Sequence, residues 1–126
     1  MLSDPRLRLK VQVVCGDDFA IGPGKAALLE AIVAHGSISA AGRALGMSYR
    51  RTWLLADSMN RTWVEPLIAT AHGGKQGGGA ALTATGQRVL MNYRDLQGAL
   101  AAAASGPAER LLADLAPAPR ASQRAE

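Results

Sequence analysis

The chain has 126 residues, of which 48% are hydrophobic, a length that fits one compact domain with a short tail. With one Phe, two Tyr and two Trp, its core is expected to be thin and helix-rich, and small domains of this kind often gain stability by dimerising. The net charge is +4, the single cysteine excludes an internal disulfide, and no segment has the length of a membrane span or a secretory signal. We therefore predict a cytoplasmic protein without membrane association, in which Cys15 is a buried filler residue.

The N-terminal part of the chain predicts a β-hairpin followed by a helix. Apolar and polar residues alternate over residues 7–13, which is typical of a half-exposed strand. A turn at residues 16–18 leads into a short return strand at 19–21. Pro23 suits the first turn of a helix that is expected to end at Gly36. The buried stripe of this helix is predicted to be Leu28, Leu29, Ile32 and Val33.

Residues 36–52, GSISAAGRALGMSYRRT, have the most specific pattern in the chain, that of a helix-turn-helix. Ser37 is placed to cap the first helix, and Ser48 is placed to cap the second. Gly46 provides the left-handed conformation that a sharp turn between them requires. Gly42 is unfavourable inside a helix, which predicts that the two helices cross closely there. The apolar face of the first helix is predicted to be Ile38, Ala41 and Leu45.

The second helix of the motif is expected to run from residue 48 to about residue 60. Its core-facing residues are predicted to be Trp53, Ala56 and Met59. Its first turn consists of Tyr49, Arg50, Arg51 and Thr52. In this motif the N-terminal residues of the second helix enter the DNA major groove, where arginine donates two hydrogen bonds to guanine. Adjacent cations at a helix start oppose the macrodipole, at a cost of about 0.3–1 kcal/mol each, so their presence favours an anionic partner.

A glycine-rich hairpin is predicted next. Short strands over residues 66–71 and 80–82 bracket a glycine-rich segment that contains His72 and Lys75. A hairpin directly after a helix-turn-helix is a wing, and Lys75 at its tip is placed to contact the DNA backbone or the minor groove. Gln76 follows Lys75, so the segment does not have the Ser or Thr that a phosphate-binding Walker loop requires.

The C-terminal part predicts a long helix capped by Thr83, with apolar residues at intervals of three and four. These exceed what a winged domain needs for its own core, so we predict that they form a dimer interface. The predicted dimerisation residues are Leu28, Leu29, Val89, Leu90, Tyr93, Leu96 and Leu100. The domain is expected to span residues 1–104, and residues 105–126, rich in Ala, Pro and Arg, are expected to be a largely disordered tail.

Basic residues are concentrated between residues 36 and 94. They are Arg43, Arg50, Arg51, Arg61, Lys75, Arg88 and Arg94. The same segment contains only two acidic residues, Asp57 and Glu65. A basic segment that coincides with a helix-turn-helix indicates a polyanionic partner such as DNA.

The order of these elements resembles the winged DNA-binding domains of LysR-type regulators, and more closely the N-terminal domain of the ModE-type, molybdate-responsive regulators. The match covers roughly residues 7–100. The residues that carry it are Gly36-Ser37-Ile38-Ser39, Ser48-Tyr49-Arg50 with Trp53, Met59-Asn60, Gly73-Gly74-Lys75 with Gly77-Gly78-Gly79-Ala80, Leu82-Thr83 and Gly86-Gln87-Arg88. The glycine-rich segment followed by Leu82-Thr83 is the most specific of these, because LysR-type proteins generally lack it.

The resemblance implies a mostly α fold with a small β wing, that is, a winged helix-turn-helix with a long C-terminal dimerisation helix. ModE-type proteins that sense molybdate carry C-terminal β-barrel domains that hold the oxyanion, whereas this chain ends soon after the long helix. We therefore expect a DNA reader without that sensor and without a cofactor, and with an effector that the sequence does not identify.

These features predict a homodimeric, sequence-specific transcriptional regulator that binds double-stranded DNA. Its operator is expected to be pseudo-palindromic, with half-sites about one helical turn, 34 Å, or a multiple of it apart. The candidate DNA-binding residues are Ser37, Ser39, Arg43, Ser48, Tyr49, Arg50, Arg51, Thr52, His72 and Lys75. The alternative is a winged-helix adaptor that binds protein without specific DNA binding. An enzyme is not predicted, because the sequence shows no nucleophile–base constellation and no cluster at metal-ligand spacing.

Overall fold

The computed structural model describes residues 4–71 and 78–123. Two small antiparallel sheets, β1–β2 and β3–β4, accompany four helices in this part of the chain. The elements in chain order are β1 (Val13–Cys15), β2 (Asp18–Ile21), α1 (Pro23–His35), α2 (Ile38–Ala44), α3 (Tyr49–Arg61), β3 (Ile68–Ala71), β4 (Gly79–Leu82) and α4 (Ala84–Leu112). The mostly helical composition and the long C-terminal helix are as predicted.

The N-terminal hairpin is shorter than predicted. Residues 7–12 do not form a strand, because β2 has only four residues and pairs with the chain from Val13 onward. Gly16 makes the turn between the strands with a φ of 59°. Only β2 reaches the core, through Ala20 and Ile21, and all of β1 is exposed. Cys15 is therefore exposed, and its prediction as a buried filler is wrong.

Helix α1 begins with Pro23 and ends at Gly36, which has a φ of 76°, so both predicted ends are confirmed. Val33, in the last turn, is 65% exposed and is not part of the predicted buried stripe. Leu28 and Leu29 are completely buried. Their assignment to a dimer interface is wrong, because the core of a single chain already encloses both side chains.

The predicted caps and turn around α2 are confirmed. Ser37 Oγ accepts a hydrogen bond from the backbone N–H of Ala40 at 3.0 Å, and Ser48 Oγ accepts one from Arg51 at 3.1 Å. Gly46, between the two helices, has a φ of 71°. On the predicted apolar face of α2, Ile38 and Ala41 are buried. Leu45 lies beyond the last helical turn and is exposed.

The β3–β4 hairpin is joined to the helices at its base. Its strands pair in antiparallel register, with Ile68 opposite Leu82. The N–H of Ala80 donates to the carbonyl of Gly36 at 2.8 Å, which links the hairpin to the junction of α1 and α2. Residues 72–77, which were predicted to form the tip of this hairpin, lie outside the described residues.

Helix α4 begins where predicted, with Thr83 Oγ1 accepting a hydrogen bond from the N–H of Gly86 at 2.9 Å. It continues to Leu112, with Pro107 inside it, and so passes the predicted domain boundary at residue 104. The run of alanines before that boundary has high helix propensity, and Ala108 beyond it is buried, so the first part of the predicted tail is helical.

Candidate nucleic-acid interface

The first turn of α3 presents its basic side chains to solvent. Tyr49, Arg50 and Arg51 are all exposed, and no acidic residue lies in this turn. The cap from Ser48 fixes the start of the helix, so the direction in which these side chains project is set by the backbone. The structure therefore gathers three of the predicted contact residues on one exposed surface.

Thr52 does not belong to this exposed surface. It is 1% exposed, and its hydroxyl donates to the carbonyl of Ser48 at 2.8 Å. The side chain lies against Gly42 of α2, where the two helices meet. The prediction that Thr52 contacts DNA is therefore wrong, and the close approach predicted at Gly42 is confirmed.

Trp53 is exposed on α3, and its prediction as a core residue is wrong. It was expected to face the core with Ala56 and Met59, which are indeed buried, but Trp53 is 39% exposed. Its ring lies beside that of Tyr49, with the centroids 6.1 Å apart and the planes tilted by 52°. The buried stripe of α3 runs through Thr52 instead, because the space next to Gly42 admits only a small side chain.

A cleft of about 300 Å³ lies between α2, α3 and the β3–β4 hairpin. We call it the Trp53 cleft, and it is lined among others by Ser37, Ser39, Trp53, Thr70 and Ala80. The structure thus places two predicted DNA-binding serines beside a tryptophan and the hairpin. Arg43 lies exposed in the last turn of α2. The predicted contacts His72 and Lys75 lie outside the described residues.

Three polar side chains position α3, and the sequence analysis did not assign them this role. Asn60 Oδ1 accepts the N–H groups of Leu67 at 3.0 Å and Ile68 at 2.9 Å, and its Nδ2 donates to the carbonyl of Ile68 at 3.1 Å. An Asn in the last turn of a helix, just before a strand, is the sequence signal for such a contact. The other two side chains are those of Lys25 and Trp63.

Lys25 and Trp63 connect α3 and the residues after it to β2. Lys25 Nζ donates to Ser58 Oγ at 2.8 Å and also to the carbonyl of Phe19, and partial burial lowers its pKa. The indole N–H of Trp63 donates to the carbonyl of Ala20 at 3.2 Å. These contacts hold the helix in the orientation that exposes its first turn.

The segments that form this surface carry positive charge and no acidic residues. Residues 36–56 and 66–82 contain no Asp or Glu, whereas the first of these segments contributes Arg43, Arg50 and Arg51. Further along α3, Arg61 pairs with Asp57 at 2.9 Å, so its charge is partly compensated. The uncompensated positive charge therefore lies at the start of α3 and on α2, which favours a polyanionic ligand.

The predicted dimer stripe of α4 divides into a buried half and an exposed half. Val89 and Leu90 pack against the core. Tyr93 is buried and its hydroxyl donates to the carbonyl of Val11 at 2.7 Å, so its assignment to a dimer interface is wrong. Leu96 and Leu100 are exposed. An apolar cleft of about 380 Å³ lies next to this helix, lined by Leu7, Leu9, Val11, Arg94, Gln97, Gly98 and Ala101.

In the part of the chain that the structure describes, no group of three or more His, Cys, Asp or Glu side chains is arranged to hold a metal ion. Among the same residues, no helix combines the length and the apolar character needed to cross a membrane.

The described elements define an arrangement that is consistent with a winged helix-turn-helix whose second helix begins with exposed arginines. No protein-family model matches the chain. It is 41% identical over 93 residues to the DNA-binding transcriptional dual regulator ModE of Escherichia coli (strain K12), a match covering 74% of this chain and 34% of that protein.

Two further relatives have similar sequence identity to this chain and similar coverage. The molybdenum transport protein ModE of Azotobacter vinelandii is 41% identical over 78 residues, or 62% of this chain and 29% of the relative. The molybdenum-pterin-binding protein MopA of Rhodobacter capsulatus is 39% identical over 80 residues, or 64% of this chain and 30% of the relative. The chain spans about a third of the length of these relatives. The similarities support the ModE-like resemblance seen in the sequence.

Proposed function

We propose that this chain is a sequence-specific DNA-binding module of a ModE-like transcriptional regulator, with a winged helix-turn-helix fold. Helix α3 enters the major groove and the β3–β4 hairpin contacts the backbone or the minor groove. The observation that carries this proposal is the first turn of α3, where Arg50 and Arg51 are exposed while the opposite face of the helix is buried. The relative named as a DNA-binding transcriptional regulator supports the same function.

The proposed contacts fall into two groups. Arg50 and Arg51 read base edges, because arginine can pair with guanine through two hydrogen bonds. Tyr49, Arg43, Ser39 and Lys75 contribute backbone contacts, which fix register without reading sequence. His72 belongs to this backbone group as well. Ser37 and Ser48 serve the interface mainly as helix caps, since both hydroxyl oxygens accept backbone hydrogen bonds.

We propose further that the chain acts as a homodimer. Leu96 and Leu100 lie one helical turn apart on α4 and both are exposed, so a second copy of α4 would bury them. A two-fold dimer places two α3 helices in successive major grooves and matches a pseudo-palindromic operator. In this arrangement the dimer contacts come from the exposed half of the α4 stripe.

The proposal is tested by fluorescence anisotropy with a duplex selected from a random library and with a scrambled duplex of equal length. We expect tighter binding to the selected duplex and a linear fall of log affinity with log salt, with a slope of about −0.9 for each phosphate contacted. A protein-binding adaptor would bind both duplexes equally weakly. Failure of selection to enrich any sequence would overturn the proposed specificity.

A further inference from the structure

The side chain of Trp53 has no role in the contacts proposed so far. The contact between Gly42 and Thr52 sets the rotation that exposes position 53, but it does not require a large aromatic residue there. A tryptophan that is 39% exposed leaves apolar surface in water. Trp53 lies one turn after Tyr49 on α3 and forms one wall of the Trp53 cleft. The exposed ring and the cleft therefore need a common explanation.

The Trp53 cleft contains hydrogen-bond donors that the described part of the protein leaves unused. The side chains of Ser39, Thr70 and Trp53 have no hydrogen-bond partner among residues 4–71 and 78–123. Ser37 Oγ accepts from the N–H of Ala40, which leaves its own O–H free to donate. Hydroxyl and indole donors around an apolar ring suit a ligand that has oxygen acceptors next to a compact apolar group.

The charge around the cleft limits the ligand to an anion or a neutral molecule. The residues that line it, at positions 37–39, 53, 70–71 and 78–80, include no carboxylate. The exposed Arg50 and Arg51 lie on the same helix as Trp53. The cleft and the basic surface proposed to bind DNA therefore share helix α3.

We propose that the Trp53 cleft holds one sugar–phosphate strand of the bound duplex. This inference rests on the proposed function, in which α3 enters the major groove and the hairpin lies on the neighbouring minor groove. The strand that separates those two grooves then passes between α3 and the hairpin, which is where the cleft lies. The ring of Trp53 packs against a deoxyribose, and its indole N–H donates to a phosphate oxygen.

The first experiment uses the emission of Trp53 as a probe. Because the chain has two tryptophans, Trp63→Phe leaves Trp53 as the only one. We expect the emission of this variant to change, and its quenching by acrylamide to fall, when the selected duplex is added. Unchanged emission and quenching while anisotropy reports binding would overturn the inference and leave the proposed function intact.

The second experiment compares the same substitution at both tryptophans. Trp53→Phe keeps an aromatic ring but loses the N–H, and we expect about tenfold weaker binding to selected and scrambled duplexes alike, the size typical of one hydrogen bond to a charged group. Trp63→Phe is the matched control, because it removes an indole N–H that bonds to Ala20 away from the cleft. Any loss of affinity that it causes through the orientation of α3 should leave the effect of neutralising a single phosphate, described next, at its wild-type size. Circular dichroism confirms that both variants are folded.

Duplexes with a single neutral methylphosphonate locate the contact. At one position of the duplex, the methylphosphonate should weaken binding by the wild-type protein about tenfold. The same methylphosphonate should cause no further loss of affinity in Trp53→Phe, because that variant already lacks the hydrogen bond. The backbone contact would be overturned if the methylphosphonate weakened binding by wild type and by Trp53→Phe equally. It would also be overturned if Trp53→Phe lost affinity only for duplexes that carry one particular base pair. If wild-type protein binds no duplex at all, the proposed function fails and this inference fails with it.

Discussion

A Cβ atom at Gly42 would lie 2.1 Å from Oγ1 of Thr52, so α2 and α3 meet with no room for any side chain on the α2 side. Thr52 is itself held in place, because its hydroxyl donates to the carbonyl of Ser48 in the preceding turn. This contact fixes the distance between the two helices. It also fixes the rotation of α3, which decides that Arg50 and Trp53 are exposed.

Gly42→Ala is expected to destabilise the protein by about 1–3 kcal/mol, the usual cost of overpacking a close contact. The matched control is Gly98→Ala in α4, where an added Cβ would meet nothing within 4 Å. That control should be more stable than wild type by about 0.5–1 kcal/mol, since alanine is the better helix former. Urea denaturation measures both. Equal stability of the two variants would contradict the contact.

The position of Thr52 shows what helical spacing alone cannot predict. Trp53, Ala56 and Met59 fit a helical stripe as well as Thr52, Ala56 and Met59 do, and hydrophobicity favours the first set. The second set is correct because a glycine on a different helix leaves room for threonine and not for tryptophan. The caps at Ser37, Ser48 and Thr83 were predictable, because each depends on a hydrogen bond to a residue three positions away.

Asn60→Ala is expected to destabilise the protein by about 1–3 kcal/mol. The substitution removes three hydrogen bonds and leaves the backbone groups of Leu67 and Ile68 without their partner. The midpoint of thermal unfolding measures the loss. The control is Asn92→Ala on the exposed side of α4, which should be nearly neutral. An Asn60→Ala variant as stable as this control would show that the contacts contribute nothing.

Contacts between residues far apart in the chain explain most of the structural roles that could not be predicted from the sequence. Asn60 and Lys25 act on residues brought near them only by the fold, so no local pattern indicates their partners. The extent of α4 was underestimated for a different reason. The Ala, Pro and Arg content of residues 105–126 suggested a tail, but the alanine-rich run before Pro107 continues the helix through it, and Ala108 is buried.

Tyr93→Phe is expected to cost about 0.5–1.5 kcal/mol at neutral pH, because it removes the hydrogen bond to the carbonyl of Val11. Burial raises the pKa of Tyr93 above the ordinary tyrosine value of 10.0, and the nearby Arg94 opposes that shift only in part. A pKa raised on folding means that the neutral phenol is favoured in the native state. The stability that the neutral phenol of Tyr93 contributes is complete below pH 10.0 and is lost as the pH rises through the higher native pKa.

The difference in unfolding free energy between wild type and Tyr93→Phe should therefore shrink above pH 10.0. Taking this difference cancels the titration of groups that both proteins share, Lys25 among them. Urea denaturation from pH 7 to pH 11 measures it. A difference that grows with pH would contradict the assigned direction of the pKa shift.

Replacing Leu96 and Leu100 together by Ser is expected to convert the proposed dimer into a monomer. Both side chains are exposed on α4 in the single chain, so the substitutions should change its fold little while removing apolar area from the interface. Analytical ultracentrifugation over a range of concentrations measures the mass. Met91→Ser, also exposed on α4, is the control that should leave the dimer intact. Wild-type protein that is monomeric at every concentration would rule out the dimer.

Arg50→Ala is expected to reduce the preference for the selected duplex over the scrambled one by about 1–3 kcal/mol, the value of one bidentate arginine–guanine pair. The loss should concentrate on the selected duplex, because a base contact contributes little where its base is absent. Lys75→Ala should weaken binding to both duplexes alike, as expected for a residue that contacts only the backbone. Arg110→Ala, an exposed arginine in the last turn of α4, controls for the loss of one positive charge. If Arg50→Ala and Lys75→Ala lower the affinity for the two duplexes equally, the exposed first turn of α3 binds DNA without reading its sequence.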